Sequence, residues 1–264
     1  MKFVHIDAHT HAQFPAYDAD RSEVIKRAQE AGIAIVNVGA DLESSKDAVR
    51  VAHEFPEGVF AIIGLHPTET EAGGEFDYEV YKSLAEESKV VAIGECGLDY
   101  FHIEGNLGDA KIQQKKIFLR HIELAKEAGK PLMIHCRNAM GDLIEFLQDN
   151  KAKLNAIPGI MHFFTGTAEE AEALVALGFY FTFGGVITFS NDYNAASGRI
   201  PLDRILSETD APYVTPAPYR GKCNEPLYVL EVERRLAELR EVSTEAMAAQ
   251  IMQNAKRVFG PVFE

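Results

Sequence analysis

Eight short apolar runs, rich in β-branched and aromatic residues, recur along the chain and limit what it can become. They are Phe3 to Asp7, Ile33 to Val38, Val59 to Leu65, Val90 to Glu95, Leu132 to His135, Ile160 to Phe163, Tyr180 to Phe183 and Ile205 to Glu208. Between most of them lie segments with helical spacing, such as Val24, Ala28 and Ala31, or Phe118, Ile122 and Ala125, with Gly32 and Gly129 positioned to stop the helix. Asp20 with Glu23, and Thr167 with Glu170, read as helix N-termini, a short capping side chain followed by an acid that suits the dipole. Strands that are continuously apolar are covered on both faces, which means a parallel sheet under helices. Eight strand–helix units in 264 residues predict an α/β fold closed into a (β/α)8 TIM barrel, as one domain over residues 1–264. The pattern is weakest over 187–201, where no clear seventh helix shows, and over 212–226, a long loop of the kind that often carries function. Met247, Ile251, Ala255 and Val258 predict a C-terminal packing helix.

Apolar residues at 47% and charged residues at 25% allow a large core and exclude a disordered or collagen-like chain. No apolar run approaches the ~18 residues of a membrane span, and Lys2-Phe3-Val4-His5-Ile6-Asp7 begins with no signal-peptide pattern, so a cytoplasmic protein without membrane contact is expected. No feature calls for an obligate protein partner. Lys and Arg total 26 against 40 Asp and Glu, and the formal charge of −14 repels polyanions from any broad face. A phosphate-bearing substrate must therefore be held locally. Cys96, Cys136 and Cys223 are too few and too scattered for a disulfide framework or a thiolate zinc site, and reduced thiols are expected.

In such a barrel the active site lies at the C-terminal ends of the strands. There the first run passes into Asp7-Ala8-His9-Thr10-His11, whose period of two sets the side chains of Asp7, His9 and His11 on one face. The fourth run ends in Glu95, the fifth in His135, the sixth in His162, and Asp210 follows the eighth. One strand-end histidine is ordinary, and His5, His53, His102 and His121 are read as such; metal-ligand residue types at this many strand ends together predict a metal centre. Imidazole and carboxylate without thiolate suit Zn2+, Mn2+ or a similar divalent ion, and six ligands exceed what one open catalytic ion uses. Two divalent ions are expected, one on His9, His11 and Asp210 and one on His135 and His162, with Glu95 bridging. Asp210 is also placed to orient an attacking water and take its proton. Cys96 and Cys136 directly follow ligands, so alternation turns them toward the helix layer as inert thiols.

Longer stretches carry a likeness: Asp7-Ala8-His9-Thr10-His11, Gly64-Leu65-His66-Pro67, Gly94-Glu95-Cys96-Gly97-Leu98-Asp99-Tyr100, Ile134-His135-Cys136-Arg137-Asn138-Ala139, Met161-His162-Phe163-Phe164-Thr165-Gly166, Glu208-Thr209-Asp210-Ala211-Pro212-Tyr213 and Asn254-Ala255-Lys256-Arg257-Val258-Phe259. With these the chain resembles the TatD family of metal-dependent deoxyribonucleases, within the amidohydrolase-like metallohydrolases, over essentially its whole length. The resemblance implies metal ligation by His9, His11, Glu95, His135, His162 and Asp210, with Glu95 and Asp210 in catalysis. It implies two ions, Zn2+, Mn2+ or Mg2+, and hydrolysis of DNA phosphodiesters, commonly from the 3′ end. Short or single-stranded DNA ends are then the expected substrate. His66 and Arg137, just past the third and fifth strands, are expected to hold a phosphate, and Tyr100 to stack on a base. The chain departs from the family where Phe163 replaces a usually small residue and in the loop Arg220-Gly221-Lys222-Cys223-Asn224-Glu225. Both departures bear on substrate and spare the ligands. Hydrolysis of a small amide, lactone or phosphoester is the alternative, set back because binuclear relatives of that kind often bridge their ions with a carboxylated lysine and here Glu95 stands without one. A non-catalytic metal-binding scaffold is more remote, since no ligand is lost.

Overall fold

The structure, a computed structural model, describes residues 3–70 and 74–260. Its sheet runs in chain order through eight parallel strands: β1 (His5–Thr10), β2 (Ile33–Val38), β3 (Val59–Ile63), β4 (Val90–Asp99), β5 (Leu132–Arg137), β6 (Gly159–Met161), β7 (Tyr180–Phe183) and β8 (Ile205–Ser207). The helices between them are α1 (Arg21–Glu30), α2 (Leu42–Glu54), α3 (Tyr78–Ala85), α4 (Leu107–Ala128), α5 (Met140–Asp149), α6 (Ala168–Ala176) and α7 (Asn194–Arg199), with α8 (Val229–Leu239) and α9 (Thr244–Phe259) after β8. Every residue of β2 and β3 is buried, which is why those runs show no alternation. Burial of each such Ile or Val contributes on the order of 1.5–3 kcal/mol. The barrel expected from the sequence is the one observed.

The seam between β8 and β1 closes the barrel and places part of the site. Ser207 Oγ donates to Ile6 O at 2.9 Å, and beyond β8 the Asp210 amide donates to His9 O at 2.9 Å and the His11 amide to Ala211 O at 2.8 Å. Asp7, buried below them, accepts from the Thr209 amide at 2.8 Å and from the Thr209 hydroxyl, so its carboxylate fastens the seam instead of facing an ion. Asp210 is thereby fixed against the two histidines of β1.

Local details follow the sequence with three exceptions. Thr167 and Glu170 form the expected reciprocal capping box of α6, whereas Asp20 precedes α1 without a side-chain cap and uses its carbonyl, which accepts from Glu23 and Val24. β4 continues four residues past Glu95 to Asp99. The stretch 187–201 does hold a helix, but α7 is one of six residues, too short to show a period. No helix among the described residues is long and apolar enough to cross a membrane.

Candidate metal centre

Glu95 organises the site. It lies inside β4, where the pairing with β5 shifts register between Ile93 and Cys96, so the strand bends and turns the carboxylate into the barrel mouth. Gly94 (φ 153) and Gly97 (φ 132) flank it, and a Cβ on Gly97 would come within 2.1 Å of His135 O. Only glycine permits β5 to approach this closely.

The two oxygens of Glu95 face two different groups of donors. Oε2 lies 3.5 Å from His9 Nε2, which is 3.2 Å from His11 Nε2 and 3.8 Å from Asp210 Oδ1; His11 Nε2 is 3.4 Å from that same Asp210 oxygen. Oε1 lies 3.1 Å from His135 Nδ1 and 3.4 Å from both His162 Nε2 and His66 Nε2. All six residues read as ligands from the sequence come together around Glu95, but the division differs from the expected one: His162 falls with His9 and Glu208, and His66 takes its place beside Glu95 and His135.

The donor spacing fits metal ions. Donors about 2.1 Å from a tetrahedral ion stand about 3.4 Å apart, close to the separations here. His11 donates its Nδ1–H to Val38 O at 2.7 Å, which leaves Nε2 as a lone pair directed at the site beside His9 Nε2, and two such nitrogens with two carboxylates call for a cation among them. His9, His11 and Glu95 form one grouping able to hold an ion, and His66, Glu95 and His135 another.

Electrostatics agree. Burial disfavours the Glu95 carboxylate, but the His66, His162 and His9 rings outweigh burial and hold its carboxyl well below the usual range. Burial likewise opposes charge on Asp210, yet its bond to His11 and the neighbouring His162 and His9 keep it below its ordinary value and ionised. His9 is pushed down by burial and then by His162, whose ring stacks on it at 3.6 Å. A neutral His9 is the ligating form.

Two supporting carboxylates were not singled out from the sequence. Asp99, at the extended end of β4, accepts from His135 Nε2 at 2.9 Å and from His102 Nδ1 at 2.9 Å. Glu208, fully buried, accepts from His162 Nδ1 at 3.0 Å, and against the cost of burial it and Glu95 raise the ring's pKa to about 10. Each fixes which ring nitrogen its histidine turns to the site. The period of two was the available signal: Asp99 stands four residues after Glu95, and Glu208 two before Asp210.

Around the ligands, His66 stands at the rim with its Nδ1 2.6 Å from Thr68 Oγ1. Exposed Arg137 lies 4.1 Å over the Phe101 ring and makes no ion pair among the described residues. Tyr100 is partly buried, its hydroxyl donating to Asp142 Oδ2 at 2.9 Å and one face under Lys111 Nζ at 4.3 Å. Cys96 is buried as expected, while Cys136 is half-buried and lines the mouth, its thiol pushed up to about 12 chiefly by burial. Of the histidines read as ordinary, His5 pairs with buried Glu233, His53 with Glu87 on the surface, and His121 lies in the core.

The profile of the family described as "TatD related DNase" matches residues 6–260. An uncharacterised metal-dependent hydrolase of Bacillus subtilis is 42% identical over 256 residues, 96% of this chain and 98% of that protein. A protein of Erwinia tasmaniensis named 3′-5′ ssDNA/RNA exonuclease TatD is 34% identical, over 91% of this chain and 93% of its own. The crystal structure of a TatD homologue from Escherichia coli superposes with a TM-score of 0.88 at 28% identity, covering 98% of this chain and 99% of that one.

Proposed function

The chain belongs to the TatD family of metal-dependent hydrolases, and from that premise we propose that it cleaves phosphodiester bonds at the 3′ ends of single-stranded DNA with two divalent ions. The observation that carries this reading is Glu95, which presents Oε2 to His9, itself beside His11 and Asp210, and Oε1 to His135, His162 and His66. His9, His11, Glu95, His135, His162 and Asp210 would hold the ions, which when bound would supply an activated water and Lewis acidity toward the phosphoryl oxygens; Zn2+, Mn2+ and Mg2+ all suit oxygen and imidazole donors.

The protein's own groups supply the rest. Asp210, ionised and anchored by its amide to His9 O, orients the water and takes its proton. His66 and Arg137 bind the non-bridging oxygens, and the guanidinium is free to do so because no carboxylate among the described residues pairs with it. Tyr100, with its hydroxyl on Asp142 and one face under Lys111, steadies the rim. The name of the Erwinia relative supports a 3′-directed attack on single strands, and the overall charge of −14 supports engagement of few phosphates.

Incubation of metal-reconstituted protein with end-labelled single- and double-stranded oligonucleotides tests this. Stepwise shortening from the 3′ end, faster on single strands and abolished in Asp210→Asn, is expected. Turnover of small esters or amides with no cleavage of any oligonucleotide would assign the site to the small-molecule hydrolases instead.

A further inference from the structure

A cavity of about 520 Å3 opens beside the ligands, within the roughly 300–1,000 Å3 typical of small-molecule sites. His135, His162 and Asp210 contribute to its lining, as does Arg137 from the end of β5. The wall from β6, the stretch after β7 and the loop after β8 is different in kind: Phe163, Val186, Phe189, Tyr193 and Val214 make it apolar and aromatic. Phe189 is 47% exposed, an unusual position for a bare phenylalanine that packs no core. Arg220 Cζ sits 4.1 Å over that ring, and the guanidinium is steadied by Nη1 donating to Thr215 O at 2.8 Å. Like Arg137 over Phe101, Arg220 makes no ion pair among the described residues; of the other arginines without one, Arg204 lies over buried Tyr180 and Arg240 is held by the Ser197 and Ile200 carbonyls, so neither rests on an exposed ring. In a chain of charge −14, two unpaired guanidiniums laid on exposed aromatic rings beside a metal centre are set apart from the rest of the surface.

We propose that Phe189, with Arg220 behind it and Phe163 beside the metal ligands, is a nucleobase platform that holds the base of the terminal nucleotide while its phosphate lies over Glu95. The inference rests on the phosphodiesterase reading and names the part of the substrate which that reading left open. An exposed ring stacks on any base, because every base has a π-face, and a guanidinium on the far side of the ring is placed to meet a neighbouring phosphate. The apolar residues around it exclude water from the stack. The platform therefore selects for the presence of a base and not for its identity.

Two readouts test it, one independent of turnover. In calorimetric titrations of metal-reconstituted protein, thymidine 5′-monophosphate is expected to bind at least about ten-fold more tightly than deoxyribose 5-phosphate. Phe189→Ala should bring that ratio close to one, and Phe189→Trp should keep or raise it; Phe189 is exposed enough that neither change threatens folding. In cleavage assays, the preference for an oligonucleotide with an intact 3′ nucleotide over one ending in an abasic sugar should collapse in Phe189→Ala in the same way. Equal binding of the two phosphates by the unaltered protein, or a Phe189→Ala variant that keeps the preference, would overturn the platform even if DNA is cleaved. Base-dependent binding that disappears in Phe189→Ala, with no cleavage of any oligonucleotide, would uphold the platform and overturn the phosphodiesterase reading.

Discussion

Glu208 shows how much of the site depends on residues that touch no substrate. Its buried carboxylate receives the Nδ1–H of His162, so the imidazole turns Nε2 toward Glu95 and gains electron density for ligation. Glu208→Gln keeps the shape and an acceptor but removes the charge. Metal affinity is expected to fall by ~10-fold or more, with melting behaviour preserved, as read by chelator competition and thermal unfolding. Unchanged affinity would show that the Glu208–His162 bond serves packing alone. At this scale the sequence was most informative where chemistry concentrates in short motifs: His9, His11, Glu95, His135, His162 and Asp210 were all legible because strand ends meet at one face of a barrel. Glu208 and Asp99 were not, because a carboxylate holding an imidazole has the same composition as one on the surface, and only the partner's position distinguishes them.

Among the elements, α4 reaches across to the loop that carries His66. His121, buried at the middle of α4, donates Nδ1–H to Ile117 O at 2.9 Å and accepts the Leu65 amide on Nε2 at 3.0 Å, one residue before His66. Both bonds need the neutral ring, and burial lowers its pKa to about 4 from an ordinary 6.5. The unfolded chain therefore takes up a proton near pH 6.5 that the folded chain refuses until about pH 4. The stability this contributes is complete above pH 6.5 and is lost as pH falls toward 4, to a total on the order of 3 kcal/mol. His121→Phe should cost about 1–3 kcal/mol at pH 7, and its deficit against the unaltered protein should shrink as urea denaturation is repeated down to pH 4.5. A deficit that stays constant with pH would contradict the assignment. Strand and helix order was readable because burial on both faces produces uniform apolar runs, while α7 and the extra length of β4 were not. Six residues are too few to show a helical period, and β4 bends at its register shift, which breaks the pattern just where the strand turns polar.

For the molecule as a whole, the formal charge of −14 opposes the binding of a long polyanion. Arg137 lines the cavity and Arg220 lies over Phe189 at its wall, and neither makes an ion pair among the described residues. Binding of an oligonucleotide to catalytically impaired Asp210→Asn should therefore weaken only gently with salt, with a log–log slope of roughly −1 to −3 from the few counterions released. A steep slope would require a basic groove along the surface. The barrel itself was legible from eight repeated units, but its closure through Asp7, Thr209 and Asp210 was not, because residues 7 and 209 meet only once β8 comes back to β1.

Turnover measured while metal is titrated into stripped protein tests the central claim most directly. If Glu95 joins two ion sites into one catalytic unit, phosphodiester hydrolysis stays low through the first equivalent of Zn2+ or Mn2+ and rises to its plateau at the second. A plateau reached at one equivalent, or hydrolysis that persists without metal, would contradict it.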